Sequence, residues 1–323
     1  MNTIQQSVPA RFSFFLIAFS LLLLLSLTGC DKETPLHETS PEAALSTGSF
    51  QLTSALDNQE IYLTTSDGRT VKAYLSKKAG TLTKGVLLLH AGTKDLLESQ
   101  TVTAGLNSDP YGGQPFYDRD YICLSVEFTE YFPGDIKATR GKEELLDVLA
   151  GYDYLNATLA QQAMPLDTLV AFGGSRGGTN ALRLGIAREF NAVVANSAAV
   201  NWFAVHDSIQ SGFLDPSEED SIAFYESVFE WGNPDITPDK WFDHSVGLRV
   251  DAFKTRYHMI NGELDEAVMV HTIRDMETAY EACVDAGDCE DESVFFIHPG
   301  GHVDWRADWA FEMMFDFIEK GKE

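Results

Sequence analysis

The sequence predicts an α/β protein whose mostly parallel, twisted sheet is covered by helices on both faces. Three observations carry that expectation. From Lys84 to the last residues, short apolar runs alternate with segments of helical periodicity, the pattern that crossover helices between parallel strands produce. Runs such as "GVLLL" and "LVAFG" are apolar at nearly every position, as strands buried on both faces must be. No segment repeats at a fixed period, which excludes a propeller or a solenoid.

The elements follow in order. "EIYLTTSDGRTVKAYLS" holds two alternating runs around Ser66-Asp67-Gly68, the signature of an N-terminal β-hairpin. "KGVLLLHAG" and "DYICLSVEF" read as strands. Between them lies "TKDLLESQTVTAGLNSDPYGGQPFYDRD", a loop well beyond the ~12–15 residues usual in compact domains and of the kind that carries function. Glu143 to Leu155 has apolar residues three and four apart and reads as a helix. Strand "LVAFG", a helix from about Gly177 and strand "NAVVANS" come next. An aromatic-rich insert from Asn201 to about Asp251 then reads as a small helical cap; it carries Trp202, Phe203, Phe224, Tyr225, Phe229, Trp231, Trp241 and Phe242. Most of these aromatics are expected to pack the cap, with Trp202 a candidate wall of an acyl or aromatic substrate pocket. Strand "RYHMING", a helix over Val268–Ala282, strand "SVFFIH" and a helix over Trp309–Glu319 complete the chain.

Ahead of this body the chain is of another kind. "RFSFFLIAFSLLLLLSLTGC" opens on Arg11, runs apolar through Leu27 and ends in small residues, the layout of a secretory signal. Leu27-Thr28-Gly29-Cys30 resembles a bacterial lipobox, which makes Cys30 the expected lipidation site and the mature N-terminus. Lipid chains there would hold the protein at a membrane surface of the cell envelope. The polar segment that follows contains Pro35 and Pro41 and lacks an apolar period, as a flexible tether would. The expected organisation is a signal peptide over 1–29, a tether over 30–49 and a folded domain over 50–323.

Composition narrows the partners. In 323 residues, 23 basic side chains stand against 49 acidic ones, a net charge of −26. A field of that sign repels phosphate backbones, so nucleic acid is not expected as a partner. The chain has no C-x-x-C, so neither a metal site nor thioredoxin chemistry is indicated, and no organic cofactor is implied. Cys283 and Cys289 flank a turn after a helix and are expected to form a disulfide, while Cys123 reads as a small buried apolar side chain.

The chemistry lies in "LVAFGGSRGGTNALRLG". Gly173-Gly174-Ser175-Arg176-Gly177 fits G-x-S-x-G where a strand turns sharply into a helix, the setting that lifts a serine hydroxyl above the sheet edge. The motif alone turns up by chance in roughly one chain in ten of this length, so partners must support it. A serine hydroxyl needs a base, and the base needs a carboxylate to orient it. Asp265 lies just past one strand, with Glu263 and Glu266 as competitors. His302 lies in a glycine turn past the next strand, with His298 as its competitor. Asp304 is expected to be a solvated acid or a loop cap, and His258 a core histidine. Both loops should open at the carboxyl edge of the sheet, beside Ser175. The expected oxyanion donors are the Arg176 backbone N–H and one from the loop after "VLLLHAG", with Gly92 first and Thr93 second. The Arg176 side chain is expected either to grip a substrate carboxylate or to pair with an acid such as Glu127.

On the segments "SDGRTVKAYL", "VLLLHAG", "GGSRGG", "GNPDITPDKWFDHSVGLRV", "NGELDEAV" and "HPGGH", the chain resembles the α/β-hydrolases. Within them it is similar to the catalytic domain of the prolyl oligopeptidase family and to dienelactone-hydrolase-like enzymes. The resemblance spans about Glu60 to the C-terminus and implies Ser175, Asp265 and His302 as a catalytic triad. The sequence departs from those peptidases in having only about 30 residues between Cys30 and the first strand where they carry a large N-terminal propeller, in Arg176 where they usually carry an aromatic residue, and in His90-Ala91-Gly92 where they usually read H-G-G. The expectation is a tethered serine hydrolase acting on carboxylic esters, with a peptidase for short peptides as the alternative. A catalytically silent binding module is the reading from another class; an intact triad argues against it.

Overall fold

Strands β1 (Gln59–Thr64) and β2 (Thr70–Ser76) form the expected hairpin. Gly68 turns the chain at φ 85°, and the Thr65 N–H donates to the Arg69 carbonyl over 2.9 Å. The protein is described by a computed structural model covering residues 59–80, 82–90, 113–127, 142–161, 167–212, 233–302 and 304–320. These residues all lie in one compact unit, Gln51–Glu323. The expected signal peptide, Cys30 and the expected tether lie outside the described residues, as do Gly92, Thr93 and much of the long insert.

After the hairpin come β3 (Lys84–Leu89), α1 (Gly113–Asp118), β4 (Tyr121–Val126), α2 (Lys142–Gln161), β5 (Thr168–Gly174) and α3 (Arg176–Ala187). Next are β6 (Ala192–Asn196), α4 (Trp202–Gln210), α5 (Pro238–His244), β7 (Tyr257–Gly262), α6 (Val270–Ala286), β8 (Val294–His298) and α7 (Asp308–Lys320). The eight strands form one sheet in the order β1-β2-β4-β3-β5-β6-β7-β8. Only β2 runs against the others, through antiparallel ladders to β1 and β4. The chain therefore has an α/β-hydrolase fold, with a mostly parallel sheet that bears helices.

Why the central strands are apolar throughout is visible in their register. Leu87, Leu89, Ala171, Val193, Ala195 and Met259 point into the core beneath α2, α3 and α6. Their alternates Val86, Leu88, Val170, Phe172, Val194 and Ile260 point into the core under α1 and α7. With period 2 and two covered faces, every position needs an apolar side chain.

The long insert, expected to be loop throughout, forms α1 in its C-terminal part. Phe116 and Tyr117 seal the sheet there, and Phe116 meets Tyr121, Phe172 and Phe315 edge-on at 4.9–5.2 Å. A six-residue helix containing Pro115 has too little periodicity to stand out from loop. Helix α2 continues past the expected Leu155 to Gln161. The cap insert contributes α4 and α5, with Trp241 wholly buried between them and Phe203 and His206 against it.

Cys283 and Cys289 are joined by a disulfide that closes the end of α6. Beside it the Tyr280 hydroxyl accepts from the Glu292 and Ser293 N–H groups, over 3.0 and 2.9 Å. Cys123 is buried, and its thiol is pushed up by desolvation into an unreactive form. Replacing both bridged cysteines by serine should lower the unfolding free energy by about 2 kcal/mol, the loop-closure value for so short a loop. Urea denaturation of the two proteins checks this.

Candidate active site

Ser175 sits between β5 and α3 at φ 53°, ψ −121°, a region that side-chain-bearing residues rarely enter. A serine at a helix N-cap normally has extended backbone and its hydroxyl caps the first turn. The Ser175 hydroxyl makes no capping bond; the tight turn points it elsewhere. The turn requires close approach. A Cβ on Gly177 would lie 2.0 Å from the Leu89 carbonyl oxygen, and one on Gly173 would lie 2.3 Å from Gly177. The Ser175 N–H is held by the Asn196 carbonyl at the end of β6, over 2.7 Å. The first turn of α3 then sets the Arg176 N–H beside the serine, with the positive end of the helix dipole behind it.

The acid and the base are brought together. Asp265 takes the His302 Nδ1 at 2.9 and 2.8 Å on its two oxygens. Its side chain is fully buried and that of His302 is 26% exposed. The Asp265 Oδ1 also accepts from the Ala267 and Val268 N–H groups over 2.9 and 2.8 Å, which orients the carboxylate. The two loops are sewn to each other: the Glu263 N–H donates to the His298 carbonyl over 2.7 Å, and the Leu264 N–H to the Gly300 carbonyl over 3.0 Å. The histidine loop also meets the elbow. A Cβ on Gly174, beside Ser175, would lie 2.4 Å from the indole of Trp305, three residues past His302.

The competitors take other places. Glu263 is exposed and pairs with Arg274, and Glu266 is exposed. His298 accepts the Gly300 N–H on Nδ1 over 3.1 Å, and burial lowers its basicity against the pull of Asp304 and Asp265. Asp304 caps the loop by accepting the Gly301 N–H over 2.7 Å. His258 is buried against Phe317 and held down to about 4 by desolvation. Trp202 is 6% exposed and stands edge-on to His244, the contacts of a core side chain. The oxyanion candidate Gly92 lies outside the described residues.

Arg176 corrects one expectation. Its guanidinium pairs with Glu144 near the start of α2, not with Glu127, which lies 3.8 Å from Lys72. Glu144 also accepts from Asn180 over 3.0 Å, and Asn180 in turn accepts from Arg183 over 3.1 Å. Burial opposes ionisation of Glu144, but the Arg176 charge and the hydrogen bonds from Arg176 and Asn180 prevail and hold its carboxyl at about 2. The sequence did carry a signal. Glu144, Val148, Gly151 and Leu155 follow helical spacing; Val148 and Leu155 are buried and Gly151 presses on Val126. An acid on a buried stripe needs a cation.

The fold and this site define the class: the protein is a serine hydrolase of the α/β-hydrolase type. Its residues 125–281 match the prolyl oligopeptidase family, which the chain resembles in fold and motif order. An esterase of Pyrococcus furiosus is similar at TM-score 0.60 and 15% identity, over 83% of this chain and 92% of that one. The acylaminoacyl peptidase of Pyrococcus horikoshii is similar at TM-score 0.59 and 12% identity, over 83% of this chain and 42% of that one. A puromycin hydrolase is similar at TM-score 0.56 and 18% identity, over 81% of this chain and 39% of that one. No curated protein matches the sequence.

The depressed Glu144 pKa fixes a pH dependence. The unfolded chain binds this proton near the ordinary value of 4.5 and the folded chain only near 2, so the stabilisation is complete above about 4.5 and is lost as pH falls toward 2. Glu144→Gln should be less stable than wild type at pH 7, by about 3 kcal/mol. Its stability should also fall less between pH 4.5 and 2 than that of wild type. Urea midpoints measured across that range check both.

Proposed function

We propose that the protein hydrolyses carboxylic esters through an acyl-enzyme. The observation that carries this reading is the strained Ser175 elbow at the start of α3, with an ordered His302–Asp265 pair in the loops beside it. Asp265 fixes His302 with its Nδ1 protonated, which leaves Nε2 as the base. Ser175 Oγ attacks the carbonyl carbon as Nε2 takes its proton. The resulting oxyanion is met by the Arg176 N–H; the second donor expected from the sequence, Gly92, lies outside the described residues. His302 then returns the proton to the leaving alkoxide, and water repeats the sequence to free the acid.

Esters are preferred because the similarity to the P. furiosus esterase runs over nearly the whole of that protein. The peptidase reading draws on the prolyl oligopeptidase match. Ser175→Ala and His302→Ala should each lower kcat by about 10^4-fold or more, and Asp265→Asn by about 10^4-fold, with the fold intact. Fluorophosphonate labelling and turnover of p-nitrophenyl esters beside aminoacyl-p-nitroanilides measure this. Faster turnover of the anilides would replace the ester reading by the peptidase one. Full activity in Ser175→Ala would remove both.

We propose further that the protein lies in a bacterial cell envelope, lipidated on Cys30. Among the described residues no helix is long and apolar enough to cross a membrane, and the proposal rests on the Leu27–Cys30 motif. Radiolabelled palmitate should enter the protein in a bacterial host and be lost in Cys30→Ser. Label retained in that variant would overturn the tether.

A further inference from the structure

We propose that Ser197 is a positioning residue for His302. This rests on the triad reading above and adds to it the device that holds the base against the nucleophile. Ser197 follows the last residue of β6 and is fully buried, at φ 46°. With Asp120 and Ser175 it is one of the non-glycine residues at positive φ among the described residues. An L-residue enters the left-handed region only at a cost in strain, and such strain persists only where the surroundings dictate it.

The surroundings do so from both sides. Towards the elbow, the carbonyl of the preceding Asn196 accepts the Ser175 N–H over 2.7 Å. The Thr179 hydroxyl of α3 donates to the Ala199 carbonyl over 2.8 Å, and Gly178 lies so near that a Cβ there would stand 2.9 Å from the Ala198 Cβ. Towards β7, the Ser197 N–H donates to the Ile260 carbonyl over 2.7 Å. Its hydroxyl then donates to the backbone carbonyl of His302 over 2.8 Å. Residues 196–199 therefore form a strut, with the nucleophile's own N–H bound at one end and the base's own carbonyl at the other.

Asp265 and Ser197 divide the task. Asp265 sets the rotation of the imidazole through Nδ1, but a ring can keep that bond while its Cα drifts. Holding the His302 carbonyl fixes the peptide from which the side chain springs, and with it the reach of Nε2 toward Ser175. Misplacing a reacting group by about 1 Å can cost about a hundredfold in rate.

The test compares Ser197→Ala, Ser197→Gly and Ser197→Thr in the full-length protein. Alanine removes the hydroxyl alone. Glycine removes the hydroxyl and relieves the positive φ, so it should fold at least as well as wild type. Threonine keeps the hydroxyl and is strained. We expect Ala and Gly to lower kcat on a p-nitrophenyl ester by about tenfold to a hundredfold, with KM within about twofold. The fluorophosphonate labelling rate should fall by a similar factor. Threonine should melt lower yet retain more kcat than alanine. A glycine variant that is folded and within about twofold of wild-type kcat overturns the proposal, as does a loss that appears only in KM. The parallel Ser175→Ala protein separates the two readings: if it still turns over, both fall; if it is dead while Ser197→Ala is fully active, only this one falls.

Discussion

Everything in this molecule that bears on chemistry depends on the backbone of Ser175. Its conformation, φ 53°, is disfavoured by about 1–3 kcal/mol, and the neighbouring structure has to impose it. Three contacts do so. Glycines at 173 and 177 let α3 press on β5 and on the carbonyl of Leu89, and the Asn196 carbonyl captures the serine N–H. The Gly173–Gly177 approach is local, but the other two contacts are not: β3, β5 and β6 must already be aligned for the Leu89 and Asn196 carbonyls to meet the elbow. The core that aligns them is apolar on both sheet faces, and its burial free energy is the source from which local strain can be sustained.

The two buried acids beside the elbow are each met by specific donors. Asp265 is buried and each of its oxygens has a donor. Glu144 is buried and meets Arg176 and Asn180. In a chain with a net charge of −26, solvent-exposed acids repel one another through water and salt, which screen them. The acids taken into the interior have been given specific donors. Arg176 thus acts twice: its N–H belongs to the start of α3, and its side chain ties that start to α2.

Much of this was legible without the fold. The hairpin, the order of strands and helices, the elbow and the Asp265 and His302 loops follow from periodicity, glycine placement and strand ends, all of which are local properties of the chain. Helix α1 was not legible, because its stability comes from Phe116 packing against Phe172 and Phe315. The Arg176 partner is not legible for a related reason: Glu127 and Glu144 are both plausible acids by type, and only the docking of α2 decides which one faces the elbow.

The sequence by itself determined the class of chemistry, since a serine between glycines at a strand–helix junction, followed by an acid and a histidine past later strands, has few other uses. Tertiary structure decided how those groups are held: Glu144 on Arg176, Trp305 against Gly174, and the Ser197 hydroxyl on the His302 carbonyl. The physical reason is range. Strand, helix and turn preferences are written in neighbouring residues, whereas a hydrogen bond between residues 197 and 302 exists only after β6, β7 and β8 have paired in register.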